Sequence, residues 1–113
     1  MKIETSEALM TDELIMEAVK NGELQKASVL FDRHHKRIFN FLVRMTMDRD
    51  VAEDLTQNVF LRMIKYRGSF KEESRFMPWL YQMARNIFSD HYQDHKKKGS
   101  SFVDLDKIGE KIV

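Results

Sequence analysis

Residues that interrupt helices are scarce in this chain, and this scarcity limits the folds it can adopt. Among 113 residues there is one proline, Pro78, and four glycines, Gly22, Gly68, Gly99 and Gly109. Between them, apolar residues recur every three or four positions without strand-like alternation, which predicts helices. With 42% hydrophobic and 33% charged residues, the chain suits one domain around one core. We therefore expect an all-α fold, a compact bundle of about four main helices.

The periodicity also places the helices. The first begins near Thr11 or Asp12 and ends at Gly22, and the others are expected over about 23–46, 51–66 and 77–96. Asp50 is the expected N-cap of the third helix, and Pro78 falls in the first turn of the fourth. The apolar stripes predict a core made of Leu14, Ile15, Ala18, Val19, Leu24, Ala27, Phe31, Ile38, Leu42, Met45, Leu55, Val59, Met63, Leu80, Met83, Ala84, Ile87 and Phe88. Residues 1–98 are the expected helical domain, and 99–113 a linker or the start of a connecting segment.

Several classes of protein are disfavoured. Cysteine is absent, which excludes disulfides, thiolate zinc and cysteine catalysis. No apolar run is long enough for membrane insertion, and an acidic N-terminus is unlike a signal peptide, so a cytoplasmic location is expected. Neither a glycine-rich phosphate loop nor a nucleophile elbow occurs, so we predict no enzyme and no cofactor.

The histidines offer the one hint of a metal. His91 and His95 are one helical turn apart, with Asp90 and Asp94 beside them, but the glutamate that a zincin carries directly after its first histidine is missing. We therefore predict no metal site. His34 and His35 are adjacent and point to different sides. Contact with solvent or phosphate is the simpler interpretation of all four histidines.

Charge is distributed unevenly although the net charge is only +1. Residues 1–24 are acidic, 25–47 are strongly basic, 48–67 are neutral, and 68–98 are again basic because of three consecutive lysines at their end. Two basic segments can form one anion-binding face if folding brings them together, or they can be solvated helix faces.

Nucleic-acid binding is the first functional candidate. Amide and guanidinium groups of the last helix can pair with base edges, its lysines can pair with phosphates, and aromatic rings interleaved with bases suit unpaired bases. The residues are Phe70, Lys71, Arg75, Phe76, Trp79, Arg85, Asn86, Asp90, Gln93, Lys96 and Lys97. Phe76 and Trp79 can instead anchor the loop to the core. For Phe70 and Arg75, on a polar loop, the functional interpretation is favoured.

The second candidate is a protein-binding face on the third helix. Glu53, Asp54, Gln57 and Asn58 are polar groups clustered within two turns. From spacing alone, a solvated face explains them better.

Two motifs resemble a known family. Residues 54–62 (DLTQNVFLR) and 76–86 (FMPWLYQMARN), separated by a loop of characteristic length, closely resemble region 2 of bacterial RNA polymerase sigma factors, of the extracytoplasmic function (ECF) type of the sigma-70 family. The similarity begins near Leu24 and runs to about Lys98. It implies a helical domain that docks on the clamp helices of the polymerase β′ subunit and melts promoter DNA at the −10 element.

The resemblance assigns roles to individual positions. It places core polymerase binding on the third helix, which reverses the interpretation of the polar cluster, and adds Arg62 to it. Asn58 departs from the acid that many members carry, which puts the strength of docking in doubt. Residues 70–76 match the segment that captures a flipped base of the non-template strand, and Met77-Pro78 departs from the usual pattern there. Arg85 and Asn86 match positions for polar contacts to the melted strand or to the upstream fork. Asp90, Gln93 and the lysines follow where the family reads the −10 element.

The resemblance also raises alternatives. Family members normally carry a second helical domain that reads the −35 element, so we expect an isolated domain of a longer sigma factor or an unusual single-domain protein. An anti-sigma factor is a further partner typical of the family. The rival hypothesis is a helical protein-interaction module, or a sigma-like regulator that binds polymerase without opening DNA. A metal-dependent helical hydrolase is a distant third.

Overall fold

The computed structural model describes residues 8–99, with side chains to residue 94, and this part of the chain is helical without strands. Two single-turn 3₁₀ helices, Leu24–Lys26 and Arg67–Ser69, accompany four α-helices, α1 (Asp12–Lys20), α2 (Ala27–Thr46), α3 (Arg49–Lys65) and α4 (Phe76–Gly99). The predicted all-α fold of four main helices is confirmed. The expected linker beyond residue 99 lies outside the described residues. None of the described helices is both long and apolar enough to cross a membrane.

Capping side chains explain where α1 and α3 begin. The Thr11 hydroxyl accepts a hydrogen bond from the Leu14 amide at 3.1 Å, as the sequence predicts. The prediction for α3 was wrong, because its N-cap is Asp48 and not Asp50. Asp48 has an extended backbone, and its carboxylate accepts from the amides of Asp50 at 3.0 Å and Val51 at 3.1 Å. The helix therefore begins at Arg49, two residues earlier than expected.

The core lies where α1, α3 and α4 meet the long helix α2. Its fully enclosed members include Ile15, Leu30, Ile38, Val59 and Leu80. Most of the predicted stripes are confirmed, and the largest error is in α1, where Leu14 is 56% exposed and Met16 is buried. The buried stripe is centred on Ile15, Met16 and Val19, and Leu14 lies about 100° away from Ile15 around the helix. Leu24 is also exposed, since it lies in the 3₁₀ turn before α2.

The segment between α3 and α4 is polar in sequence but carries two rings into the core. Phe70 is 1% exposed and Phe76 is fully buried, with their ring centroids 6.4 Å apart. Trp79 packs edge-on against Phe70 at 5.0 Å. The rings hold residues 71–75 against the bundle as a short exposed loop, which we call the 71–75 loop. The polar surroundings of Phe70 in the sequence, which favoured a functional interpretation, did not indicate this burial, because local polarity does not report packing against a distant helix.

Candidate functional site

Both ends of the 71–75 loop are fastened by α1. The Lys20 ammonium donates to the backbone carbonyl of Phe70 at 2.5 Å, and the Phe76 amide donates to the Glu13 carboxylate at 2.8 Å. Between these points Lys71 and Arg75 are exposed together with two glutamates. The loop therefore presents charged side chains from a backbone that is fixed at either end.

A further acid of α1 binds the helix to α2. The Asp12 carboxylate contacts the Arg33 guanidinium and the His34 imidazole, each at 2.9 Å. Partial burial by itself raises the pKa of Asp12, but the hydrogen bonds from His34 and Arg33 outweigh it and hold that pKa below its usual value of 3.8. His34 is thus a buried partner of Asp12, so the expected contact with solvent or phosphate was wrong for this histidine. His35 stacks on Phe31, which the sequence did not predict, and it lies on another side of α2 from His34, which the sequence did predict.

Beside the loop lies an open cavity of about 290 Å³, which we call the aromatic-amide cavity. Its lining combines flat rings with amide and guanidinium groups, from Arg62, Tyr66, Ser69, Trp79, Gln82, Met83 and Asn86. The Gln82 amide donates to the Asn86 side-chain oxygen at 3.2 Å, so the Asn86 amino group is left to face a ligand. Rings and amides are the groups that stack on a base and bond its edge. The cavity is roughly ten times the volume of a water molecule in the liquid.

The two basic segments of the sequence meet where α2 packs on α4. Phe41 and Tyr81 are in edge contact at 5.1 Å, and the Arg85 guanidinium lies 6.0 Å from the centre of the Phe41 ring. Arg37 and Arg44, both exposed, are four and three residues from Phe41 and so share its face of α2. We call these three arginines the basic seam. The sequence left open whether the basic segments combine, and these contacts bring them together.

The polar cluster of α3 is exposed as a continuous face. Glu53, Asp54, Gln57 and Asn58 all point outward, and we call them the α3 polar face. Next to it, between α2 and α3, runs a groove of about 360 Å³ with an apolar floor. Its lining residues are Phe31, His35, Lys36, Phe39, Glu53, Thr56 and Gln57.

Arg62 is one turn after Asn58 on α3, and the two side chains line a cavity between α3 and α4 together with Asp90. The Arg62 guanidinium pairs with Asp90 of α4 at 2.9 Å, and both side chains are partly exposed. The sequence assigned Arg62 to protein binding and Asp90 to DNA, and the structure joins them in one ion pair.

The predicted DNA-binding residues fall into three groups. Lys71, Arg75, Arg85, Asn86 and Asp90 are exposed. Trp79 and Gln93 are half-buried, and the side chains of Lys96 and Lys97 lie outside the described part of α4. Phe70 and Phe76 are enclosed in the core, so their rings are not available to stack on a base. In this structure the two rings anchor the loop to the core, as the alternative for Phe76 expected, and the predicted contact of these residues with DNA stays a prediction.

Sequence reasoning missed four residues that complete these surfaces. Tyr66 and Gln82 line the aromatic-amide cavity, and Arg37 and Arg44 belong to the basic seam. Helical spacing could have found Gln82, which is four residues before Asn86 and three after Trp79. No cluster of three or more potential metal ligands occurs among the residues whose side chains are described, and the His95 side chain is not among them.

Comparison with known proteins identifies the family of this chain. Residues 30–98 match the family described as Sigma-70 region 2. The chain belongs to the ECF sigma factors of the sigma-70 family and contains their region 2. The four helices are consistent with the all-α fold of sigma region 2.

Individual sigma factors show how far the similarity extends. The ECF RNA polymerase sigma factor SigM of Bacillus subtilis is 37% identical over 76 residues, which are 67% of this chain and 46% of SigM. The RNA polymerase sigma factor CarQ of Myxococcus xanthus is 40% identical over 75 residues, 66% of this chain and 43% of CarQ. The ECF sigma factor SigW of Bacillus subtilis is 30% identical over 91 residues, 80% of this chain and 48% of SigW. The matched part of this sigma chain spans less than half the length of these relatives. No solved structure gives a significant match.

Proposed function

We propose that this chain acts in transcription initiation as the part of a sigma factor that binds core RNA polymerase and melts the promoter at the −10 element. It acts by binding and not by catalysis. Core polymerase and the non-template strand of promoter DNA are its proposed partners, and an anti-sigma factor is a further partner of this family type. The observation that carries the proposal is the aromatic-amide cavity between α3 and α4, whose lining includes Ser69 and Trp79 from either side of the 71–75 loop, in a chain of this family.

The cavity supports the capture of one unpaired base. Unstacking a base costs a few kcal/mol, and stacking on an aromatic side chain returns about 1–3 kcal/mol per base. Tyr66 and Trp79 supply rings at the cavity wall, and Asn86 supplies hydrogen-bond donors at its edge. These contacts are available only to an unpaired base, so the cavity favours the melted strand over the duplex. The rings of Phe70 and Phe76 are left to hold the loop in place.

The basic seam supports binding of the strand's backbone. Arg37, Arg44 and Arg85 place three guanidinium groups along the junction of α2 and α4. Phosphate contacts fix the position of a strand without reading its sequence, whereas a base pocket selects among bases. We propose that the seam positions the strand and that the aromatic-amide cavity reads it.

The α3 polar face supports docking on the β′ clamp helices. Protein interfaces typically combine an apolar centre with a polar rim. The groove floored by Phe31 and Phe39 supplies the apolar centre, and Glu53 and Gln57 stand at its rim. Asp54 and Asn58 extend the rim along α3.

Docking is tested with the isolated clamp helices of a bacterial polymerase. Asp54→Ala and Gln57→Ala are each expected to weaken binding by about tenfold, since polar groups desolvated at an interface typically contribute 1 kcal/mol or more. Glu72→Ala removes an exposed acid from the 71–75 loop, away from the α3 polar face and its groove, and serves as the control with unchanged binding. No saturable binding by the folded wild-type chain would refute the docking proposal.

DNA binding is tested with short single-stranded oligonucleotides of randomised sequence. Asn86→Ala and Arg85→Ala are expected to weaken binding by about tenfold, whereas Gln25→Ala, at an exposed site in the 3₁₀ turn before α2, is expected to leave it unchanged. The same DNA as a duplex is expected to bind more weakly than the single strand. Clamp-helix binding without any DNA binding would favour the rival hypothesis of a regulator that does not open promoters.

A further inference from the structure

Helix α1 lies outside both proposed binding surfaces, yet its polar side chains are directed inward. Asp12 bonds to α2, Glu13 to the start of α4, and Lys20 to the end of the 3₁₀ turn after α3. The acidic first segment of the chain is therefore not simply a solvated surface. Each of these contacts joins α1 to a different part of the structure around the 71–75 loop.

The spacing of the two loop contacts matches the geometry of one helix face. Glu13 and Lys20 are seven residues apart, which is close to two turns and about 10 Å of rise along an α-helix. They bond to Phe76 and Phe70, the residues that bound the loop at its two ends. A rigid helix that bonds to both ends of a segment holds those ends at a fixed separation. Buried Ile15, Met16 and Val19 fix α1 itself to the core.

Neither contact has a local substitute among the described residues. Arg75 precedes α4 but its side chain has no acceptor for the free amides of the first turn. The Glu13 carboxylate, 63 positions away in sequence, performs this capping role. A negative charge is also favourable at that position because the N-terminus of a helix carries partial positive charge. At the other end, the Lys20 ammonium donates to the Phe70 carbonyl just before the loop.

We propose that Glu13 and Lys20 are positioning residues for DNA capture, which hold the 71–75 loop and the first turn of α4 in the geometry of the bound state. This inference rests on the proposed function, because it concerns the same loop and the neighbouring aromatic-amide cavity. Trp79, a cavity residue, lies in the first turn that Glu13 caps and packs against Phe70, whose carbonyl Lys20 binds. If the contacts with α1 are lost, Trp79 and the loop become more mobile. Ordering them again when DNA binds costs free energy, which lowers the affinity for DNA.

A positioning role for Glu13 and Lys20 affects DNA binding but not docking on clamp helices, whereas a general structural role affects both. The α3 polar face makes no described bond with Glu13 or Lys20, so docking on clamp helices is expected to persist when these residues are replaced. DNA affinity is expected to fall. Trp79 is the only tryptophan of the chain, so its fluorescence reports on the loop without interference from other indoles.

The experiment compares Glu13→Ala and Lys20→Ala with wild type as whole chains. Each variant is expected to bind randomised single-stranded oligonucleotides about fivefold more weakly, the effect typical of a lost helix cap, and to show a red-shifted Trp79 emission. Binding to isolated clamp helices is expected to stay within about twofold of wild type. Glu13→Gln keeps an acceptor for the Phe76 amide and is expected to restore most of the affinity for DNA. Glu17→Ala, one turn along α1 at a residue whose side chain makes no described hydrogen bond, is the matched control.

The outcomes distinguish the two proposals. Wild-type chain that docks but binds no single-stranded DNA refutes the proposed DNA function, and the inference with it. Wild type that binds DNA while Glu13→Ala and Lys20→Ala bind equally well refutes the inference alone. If Glu13→Ala and Lys20→Ala lose both docking and DNA binding, α1 has a general role in stability, and the inference is refuted.

Discussion

At the scale of single residues, the acids of the first segment show how sequence position can mislead. Asp12 and Glu13 are adjacent, and either is an ordinary residue for the first turn of an exposed helix. In the fold Asp12 pairs with Arg33 of α2, and Glu13 caps α4. Their value to the molecule comes from partners that are 21 and 63 residues away. Charge alone identifies neither partner.

Replacing Asp12 tests its contribution to stability. Asp12→Asn is expected to lower the free energy of unfolding by about 2 kcal/mol near neutral pH, because it leaves two partly buried cationic or polar partners facing an amide. Urea unfolding followed by circular dichroism measures the difference. Asp32→Asn, at an exposed acid of α2, is the control and is expected to have little effect. Equal stabilities of Asp12→Asn and wild type would contradict the assigned ion pairs.

The same carboxyl group predicts a pH dependence. Its pKa is lower in the folded state than the usual 3.8, so the unfolded chain binds the proton more readily. The stabilisation is therefore complete above the unfolded-state pKa and is lost as the pH falls through the lower folded-state value. Unfolding curves of wild type and Asp12→Asn are expected to converge in this acidic range. A difference that stays constant well below pH 3.8 would argue against the lowered pKa.

At the scale of secondary-structure elements, the start of α3 is set by an N-cap residue, Asp48, that the sequence does not distinguish from Asp50. Asp48 and Asp50 are both exposed aspartates near the start of α3, but only Asp48 accepts bonds from the free amides of its first turn. Asp48→Ala is expected to cost about 1 kcal/mol of stability, and Asp50→Ala only a few tenths through its charge near the helix start. Thermal or urea unfolding of the two variants measures this. A larger loss of stability in Asp50→Ala than in Asp48→Ala would identify Asp50 as the cap instead.

The elements also show which features a sequence can predict. Helices, their number and most of the core stripes follow from local periodicity, and the Thr11 cap follows from local chemistry. The exposed polar residues of α3 were correctly located for the same reason. Burial of Phe70 could not be predicted, because its neighbours in sequence are polar and its packing partners lie on other helices. The fastening of the loop by α1 depends on contacts 50 and 63 residues apart, which have no local signal.

At the scale of the whole molecule, the bundle separates the two proposed surfaces. The α3 polar face looks away from the core beside α2, whereas the basic seam and the aromatic-amide cavity lie along α4. Arg62 is the exception, since it belongs to α3, lines the cavity and pairs with Asp90. A rigid bundle of this kind can hold a protein surface and a DNA surface at a constant relative orientation.

This separation predicts independent effects of substitutions. Asp54→Ala is expected to leave affinity for single-stranded DNA within about twofold of wild type, and Arg85→Ala is expected to do the same for clamp helices. In the double variant each defect is expected to equal that of the single variant. Fluorescence anisotropy with labelled oligonucleotide and labelled clamp helices measures both affinities. Mutual weakening would show that the two surfaces are energetically coupled.

The long reach of the Glu13 contact also has a consequence for the order in which the protein forms during synthesis. Glu13, which caps α4, is synthesised 63 residues before its partner Phe76. Helices α2 and α3 lie between these two partners in the sequence and follow one another directly, so both emerge before Phe76 and can pair before the Glu13 contact forms. A nascent chain would thus display the proposed polymerase-binding helix before its DNA-capturing loop exists. The loop is fixed at both ends only after the start of α4 has been synthesised and Phe76 can bond to Glu13 of α1.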